Sequence, residues 1–159
     1  MTPPPTVRRA TPDDAPALVV LRAAMVESVN GTPPEDNGWR ESCEAQLRER
    51  LAADDMCIAY VVDGPGGVPV SCGMGWVQWV PPAPSNVSGR MGFVASMSTL
   101  PQSRGRGAAR AIFAALMAWF EQQGVTRVDL HASDMGEALY REYGFSEPRS
   151  KAMTWSRRP

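Results

Sequence analysis

The chain has 159 residues, 43% of them hydrophobic and 21% charged, with a formal net charge of −1. That length suits one folded unit with its own core, and the near-neutral balance excludes the broad basic field of a general nucleic-acid binder. Cys43, Cys57 and Cys72 are odd in number and widely spaced, which excludes a disulfide framework or a cysteine metal cluster; a single histidine, His131, leaves a zinc site or a Ser-His-Asp hydrolase poorly supported.

Residues 1–6 (Met-Thr-Pro-Pro-Pro-Thr) read as a flexible tail before one domain over 7–159. The tail lacks the charged start and apolar run of a secretory signal. No apolar run approaches the roughly 20 residues of a membrane span, so the expectation is a soluble, cytoplasmic protein with no membrane partner. Lys151 is the only lysine among many arginines, a bias attributed to genome composition.

A short strand is expected over 7–10. Thr11 then caps a helix, Pro12 suits its first position and Asp14 completes a capping-box spacing. Leu18, Leu21, Met25 and Val29 stripe that helix, and residues 30–34 break it. A second helix is predicted over 36–53, with Trp39, Cys43, Leu47 and Leu51 on one face and Glu44 paired with Arg48 on the other. A strand over 56–62 and a turn over 63–67 lead to an alternating strand. There Val68, Val70, Cys72, Met74, Trp76 and Val80 face one way, and Ser71, Gly73 and Gly75 the other. A rigid Pro-rich loop over 81–84 precedes a fourth strand over 90–100.

Pro101 ends that strand, because it cannot donate to a ladder. Gly105 and Gly107 follow within Arg104-Gly105-Arg106-Gly107-Ala108-Ala109-Arg110, and a helix begins directly. Glycines let the backbone turn tightly and lie open to a ligand. The first helical amides lack intrahelical partners and carry the positive end of the dipole. Three arginines at the same end are electrostatically unfavourable unless an anion sits among them, so the stretch reads as a phosphate cradle. It is neither a P-loop, since no Gly-Lys-Ser/Thr follows, nor the dinucleotide fingerprint, since Arg110 stands at the third glycine. A solvated connector is the plain alternative, and an arginine-rich RNA contact a remote one.

The helix is expected to run to about Gln123, with Ala108, Ile112, Ala115, Leu116 and Trp119 buried. A fifth strand follows over 125–132. Asp134 and Glu137 hold capping-box spacing for a last helix ending at Gly144, and a final strand is predicted over 152–155. Together these elements make a single-domain α/β protein with a mixed sheet of six or seven strands and about four helices.

Arg104-Gly105-Arg106-Gly107-Ala108-Ala109 resembles the Gln/Arg-x-x-Gly-x-Gly/Ala motif of the GNAT superfamily of N-acetyltransferases. Leu139-Tyr140-Arg141-Glu142-Tyr143-Gly144-Phe145 resembles that superfamily's Leu-Tyr-Glu-x-x-Gly-Phe segment, and Val7-Arg8-Arg9-Ala10-Thr11-Pro12-Asp13-Asp14 its common first strand and helix start. The resemblance covers residues 7–155. It implies a mostly antiparallel sheet whose fourth and fifth strands splay into a V-shaped gap, and acetyl-CoA as cosubstrate without a metal. By the resemblance, Arg104, Gly105, Arg106, Gly107, Ala108, Ala109 and Arg110 take the pyrophosphate. Met97, Ser98 and Thr99 lie beside the cofactor arm, with a backbone amide at Met97 or Ser98 as oxyanion donor. Tyr140 is the implied general acid for the leaving thiolate, and Tyr143 packs.

The sequence departs from the family in two places. Residues 91–100 hold no carboxylate or histidine to deprotonate the incoming amine. His131 is then the candidate base, a hydrogen-bonded structural histidine being the alternative, and Asp134 a weaker one. Ser133 stands where the family often has a cofactor-contacting Asn, and Gly136 replaces a common Ala, allowing close approach of the cofactor. The resemblance places Glu35, Asp36 and Trp39 at the acceptor wall, though a cap and a core aromatic explain them as well. Trp76, Trp79 and Trp155 suit a homodimer interface, the core or the groove. The implied reaction is acetyl transfer from acetyl-CoA to a small-molecule or peptide amine; the alternative is an acyl-CoA-binding module without turnover.

Overall fold

In a computed structural model, residues 3–157 are described. Met1 and Thr2 of the expected tail, and Arg158 and Pro159, lie outside the described residues. Five strands form one sheet in chain order: β1 (Val7–Arg9), β2 (Cys57–Asp63), β3 (Pro69–Trp79), β4 (Arg90–Thr99) and β5 (Val128–Leu130). The first three pairings are antiparallel and β4–β5 is parallel. Four helices surround it: α1 (Ala15–Asn30), α2 (Trp39–Ala53), α3 (Ala108–Gln122) and α4 (Glu137–Glu142). Among the described residues no helix is long and apolar enough to cross a membrane.

The alternation of β3 divides the molecule into two apolar layers. Cys72 and Met74 face α1 and α2, where they meet Leu18, Leu21 and Leu47. Gly73 and Gly75 face α3. A Cβ at Gly73 would lie 2.7 Å from Ile112 Cγ2, and one at Gly75 would lie 2.9 Å from Phe120 Cζ. The sheet is therefore thin where α3 carries its largest side chains. Ile112, Phe113, Leu116 and Phe120 are each buried to 1% exposure or less. Burying such side chains stabilises by roughly 1.5–3 kcal/mol each, so α3 is held firmly against the sheet.

Two predicted strands need correction, and with them the count of six or seven. Residues 152–155 form no strand: they lie exposed with no ladder partner, and Trp155 is 85% exposed. The fifth strand spans only Val128–Leu130, because its pairing with β4 ends at Val94↔Leu130 and the two chains then diverge. The α2 helix starts at Trp39 rather than 36, after Gly38 at φ +89°. Thr11 N–H donates to Asp14 Oδ2 at 2.8 Å, but only a 3-10 turn (Pro12–Asp14) follows before α1. Asp14 also accepts from Arg8 at 2.8 and 2.9 Å, and Arg8 bridges to Asp63 at 2.7 and 2.8 Å. This pins β1, β2 and the entry to α1 together. The last helix begins after Gly136, not at Asp134; the amides of Gly136 and Glu137 both donate to Ser133 O.

Candidate active site

The site begins at a defect in β4. Cys72 pairs with Ser98 and Met74 with Ala95, so two residues, Ser96 and Met97, stand against Gly73 alone. Ser96 sits at φ +53°, the one non-glycine at positive φ among the described residues. Such a bulge bends a strand and re-aims its side chains, and backbone strain of this kind concentrates at functional sites. Cys72 Sγ donates to Ser96 O at 3.2 Å, and Arg22 Nη1 of α1 donates to Ser96 Oγ at 2.6 Å. Burial pushes the Cys72 thiol up to about 12, so it stays neutral.

Past the bulge, β4 is paired on one side only. Leu100 N–H donates to Val70 O at 2.9 Å. By strand alternation the N–H of Ser98 also faces β3, and those of Met97 and Thr99 face the gap left by β5. The Ser98 hydroxyl donates to Leu21 O at 2.8 Å, tying β4 to α1. Ser71 and Thr99 hydroxyls meet at 2.7 Å. Arg104 Nε donates to Thr99 O at 3.0 Å, closing the lower end of the free edge. Met97, in the bulge, has no register partner on β3, and on this alternation its amide faces the gap.

The loop below this edge presents a row of amides. Gly105 and Gly107 adopt φ +73° and +81°, the left-handed region that disfavours side-chain-bearing residues. Gly107 is the N-cap of α3, and the first backbone bond returned by the helix is Ala111 N–H to Gly107 O. Among the described residues no acceptor takes the N–H groups of 105–110. A Cβ at Gly105 would meet nothing within 4 Å, so the concavity is open. Of the three arginines, Arg104 is committed to Thr99 O, and Arg110 forms an ion pair with Glu142 of α4. Arg106 has no partner among the described residues. Together with Gly105 it faces Pro3, Pro4 and Pro5 across a hollow of about 540 Å³. An anion with several oxygens fits this row of amides at a helix N-terminus.

Tyr140 stands on α4, which packs against the N-terminal half of α3. Its ring packs on Phe113 at 5.1 Å and Phe145 at 6.2 Å, and its exposure is only 7%. No buried side-chain polar atom among the described residues lacks a partner, and Tyr140 Oη has no protein partner, so the hydroxyl reaches solvent. Burial of the ring pushes the phenol above its ordinary value, so it holds its proton at neutral pH. A Cβ on Gly136 would lie 2.9 Å from Tyr140 Cε2 and 3.2 Å from Oη. Gly136 therefore makes room for the tyrosine itself. Tyr143 packs edge-on against Phe113 at 4.9 Å.

The other face of the gap is aromatic. Trp76 stacks on Phe93 at 4.9 Å, and His131 lies edge-on to Phe93 at 5.7 Å. His131 is exposed, without a hydrogen-bond partner among the described residues. Ser133 and Asp134 are exposed in the turn before α4. Glu35 and Asp36 are also exposed, and their polar atoms serve the chain: Trp39 Nε1 donates to Glu35 O at 3.0 Å and Gly38 N–H to Asp36 Oδ1 at 3.1 Å. Arg40 lies over the Trp39 ring at 4.9 Å. Trp79 is 73% exposed, away from the packed face. Among the described residues no group of three or more His, Cys, Asp or Glu is placed to hold a metal ion.

Sequence reasoning missed Arg22 and Ser96. Arg22 carried a signal, as a lone cation among the apolar residues of Ala15–Asn30. Ser96 carried none, because its positive φ follows from strand pairing.

The acetyltransferase (GNAT) family model matches residues 23–145. No curated protein matches the chain in sequence. The fold is similar to that of a predicted acetyltransferase with acetyl-CoA from Clostridium acetobutylicum, with TM-score 0.82, 22% identity, and 94% of each chain covered. It is also similar to a GCN5-related N-acetyltransferase from Ralstonia eutropha JMP134, with TM-score 0.75, 25% identity, and 94% of this chain and 97% of that one covered. A third similar structure is glucosamine-6-phosphate N-acetyltransferase from Arabidopsis thaliana, at 14% identity, TM-score 0.73 and coverage of 94% and 97%. With its splayed β4–β5 pair and a family match across most of its length, the chain belongs to the GNAT family of acetyltransferases.

Proposed function

We propose that the protein transfers an acetyl group from acetyl-CoA to a primary amine by direct attack on the thioester. The observation that carries this reading is the unpartnered amide row over 105–110, continuous with the one-sided edge of β4. The amides and Arg106 suit a pyrophosphate, and the free edge at Met97 suits an amide-bearing arm that adds as a strand would. The thioester supplies the activated acetyl group. Met97 N–H, facing the gap, is the donor aimed at its carbonyl oxygen, a role the Ser98 amide cannot share while it faces β3. Tyr140 Oη, neutral and reached by solvent, delivers a proton to the departing sulfur. An N–C bond forms as the C–S bond breaks. The amine gives up one proton and the thiolate takes one.

The incoming ammonium loses its proton to water or to His131, which lies on the sheet face turned toward α1 and α2. Steady-state release of CoA thiol across an amine panel, with Tyr140→Phe beside wild type, tests the reading. Turnover that falls at least 10-fold in the variant, at unchanged acetyl-CoA affinity, supports it. Acetyl-CoA binding without turnover of any amine would instead make the chain a non-catalytic acyl-CoA-binding module, a reading favoured by the absence of a carboxylate along β4.

A further inference from the structure

We propose that the acceptor amine carries an anionic group, of carboxylate type, and that Arg22 reads it. This rests on the acetyltransferase reading above. Arg22 projects from the middle of α1 to the bulge, where its Nη1 donates to Ser96 Oγ at 2.6 Å. Ser96 O in turn accepts from Cys72 Sγ of β3, which places the guanidinium between α1 and the β3–β4 face of the sheet. That is the face of β4 opposite α3, and it also holds Phe93, Trp76 and His131.

Of the arginines with no carboxylate partner among the described residues, only Arg22 and Arg40 are half-buried, and Arg40 lies over the Trp39 ring. Arg8, Arg48, Arg50, Arg110, Arg127 and Arg141 each meet a carboxylate in an ion pair. Arg22, half-buried, meets none among the described residues, and a neutral hydroxyl is its one hydrogen-bond partner there. A half-buried cation left without an anion is costly, and a guanidinium has further N–H donors in a fork that matches a carboxylate or phosphate. The Ser96 hydroxyl accepts one N–H and so sets the plane of the group. The strained residue at which β4 turns away from β5 is thus also the residue that orients Arg22.

A cation here has a second consequence. It disfavours a neighbouring ammonium and so raises the fraction of free amine near the thioester. This matters in a site whose strand supplies no carboxylate base. Of the two carboxylates at the expected acceptor wall, that of Asp36 accepts from Gly38 N–H within the α1–α2 connection, and that of Glu35 is exposed.

The test compares matched acceptors in the thiol-release assay: α-amino acids against their carboxamides, 2-aminoethylphosphonate against ethanolamine, and spermidine as a polycation. Amidation lowers the pKa of the α-ammonium, so intrinsic reactivity favours the amides and works against the proposal. Acids are expected to be acetylated with at least 10-fold higher kcat/KM than their amides. Arg22→Ala should lower kcat/KM for acids by about 100-fold, at least 10-fold more than for the amides, which lose only the effect on the ammonium; Arg22→Lys should fall between. A phosphonate preferred over the amino acids would identify phosphate chemistry as the anion source at the same arginine. Acetyl-CoA affinity and melting temperature, measured on each variant, separate loss of the site from loss of the fold. Equal acceptance of amides or spermidine, equal loss for both acceptor classes in Arg22→Ala, or no turnover of any acid by a protein that binds acetyl-CoA would overturn the assignment of Arg22 while leaving the cofactor site standing. Failure of wild type to bind acetyl-CoA would overturn both.

Discussion

Replacing Gly136 by Ala tests how tightly Tyr140, the proposed acid, is placed. Gly136 has φ −94° and ψ −21°, a conformation alanine adopts freely. Its new Cβ would nonetheless lie 2.9 Å from Tyr140 Cε2 and 3.2 Å from both Cζ and Oη. Carbon atoms rest at about 3.5–4.0 Å, so the ring must retreat by roughly half an ångström. Phe113 and Phe145 back it, so the displacement is taken up as a swing of the phenol. A misplacement on the order of 1 Å at a reacting group costs up to about 100-fold in rate. The expected result is a 10- to 100-fold lower kcat with acetyl-CoA affinity unchanged. Stability moves little, because the smaller unfolded-state entropy of alanine contributes about 0.4–1 kcal/mol and offsets the strain; the melting temperature should stay within about 3 °C. The assay is thiol release on Gly136→Ala, Tyr140→Phe and the double variant. In the Tyr140→Phe background the glycine change should add almost nothing. Full activity in Gly136→Ala, or a loss that adds to that of Tyr140→Phe, would refute the reasoning; a raised acetyl-CoA Kd with unchanged kcat would place Gly136 against the cofactor instead.

Three further outcomes follow from the same contacts. Because burial raises the Tyr140 phenol, the alkaline fall in kcat attributable to it should lie above about pH 10 and vanish from the pH profile of Tyr140→Phe. Arg8 holds the Asp14 carboxyl below its ordinary value. A depressed carboxylate contributes stability above its unfolded value and loses it as pH falls through the folded one. Arg8→Ala should therefore cost about 1–2 kcal/mol at pH 7, trimmed because the arginine side chain is 37% exposed, and the deficit should shrink below about pH 4 in denaturant titrations. Gly73→Ala places a Cβ 2.4 Å from Met97 Sδ and 2.7 Å from Ile112 Cγ2; overpacking should cost about 1–3 kcal/mol, read as a fall in melting temperature.

The glycine turn before α3 was legible because its signals are local. Gly105 and Gly107 take the positive φ that glycine permits, and Ala108 opens the helix directly. The alternation along β3 was legible for the same reason, since period two decides which residues meet α1 and which meet α3. Elements that depend on a partner were not. Residues 152–155 (Ala-Met-Thr-Trp) hold the β-branched and aromatic types that favour strands, yet β-propensity expresses packing against neighbours, and they find none. Val128–Leu130 is short because β4 turns away at Ser96, a consequence of the Cys72–Met74 register that no local pattern encodes. Asp134 and Glu137 hold a capping-box spacing, but Ser133 O takes the first amides and shifts the start of α4. At Arg104 and Arg110 sequence showed the charge and not its use, since Thr99 O and Glu142 lie far enough away to be invisible without the fold.

The most direct test is calorimetric titration of wild type and Gly107→Glu with acetyl-CoA, CoA and ATP. Gly107 lies at φ +81° at the mouth of the amide row, so glutamate there strains the backbone by about 1–2 kcal/mol and sets a carboxylate against the phosphates. Tight binding of acetyl-CoA and CoA, much weaker binding of ATP, and at least a 100-fold loss in the variant are the expected results. A folded wild-type protein that binds none of the three, or a variant that binds acetyl-CoA as wild type does, would contradict the assignment of residues 104–110 as the cofactor cradle.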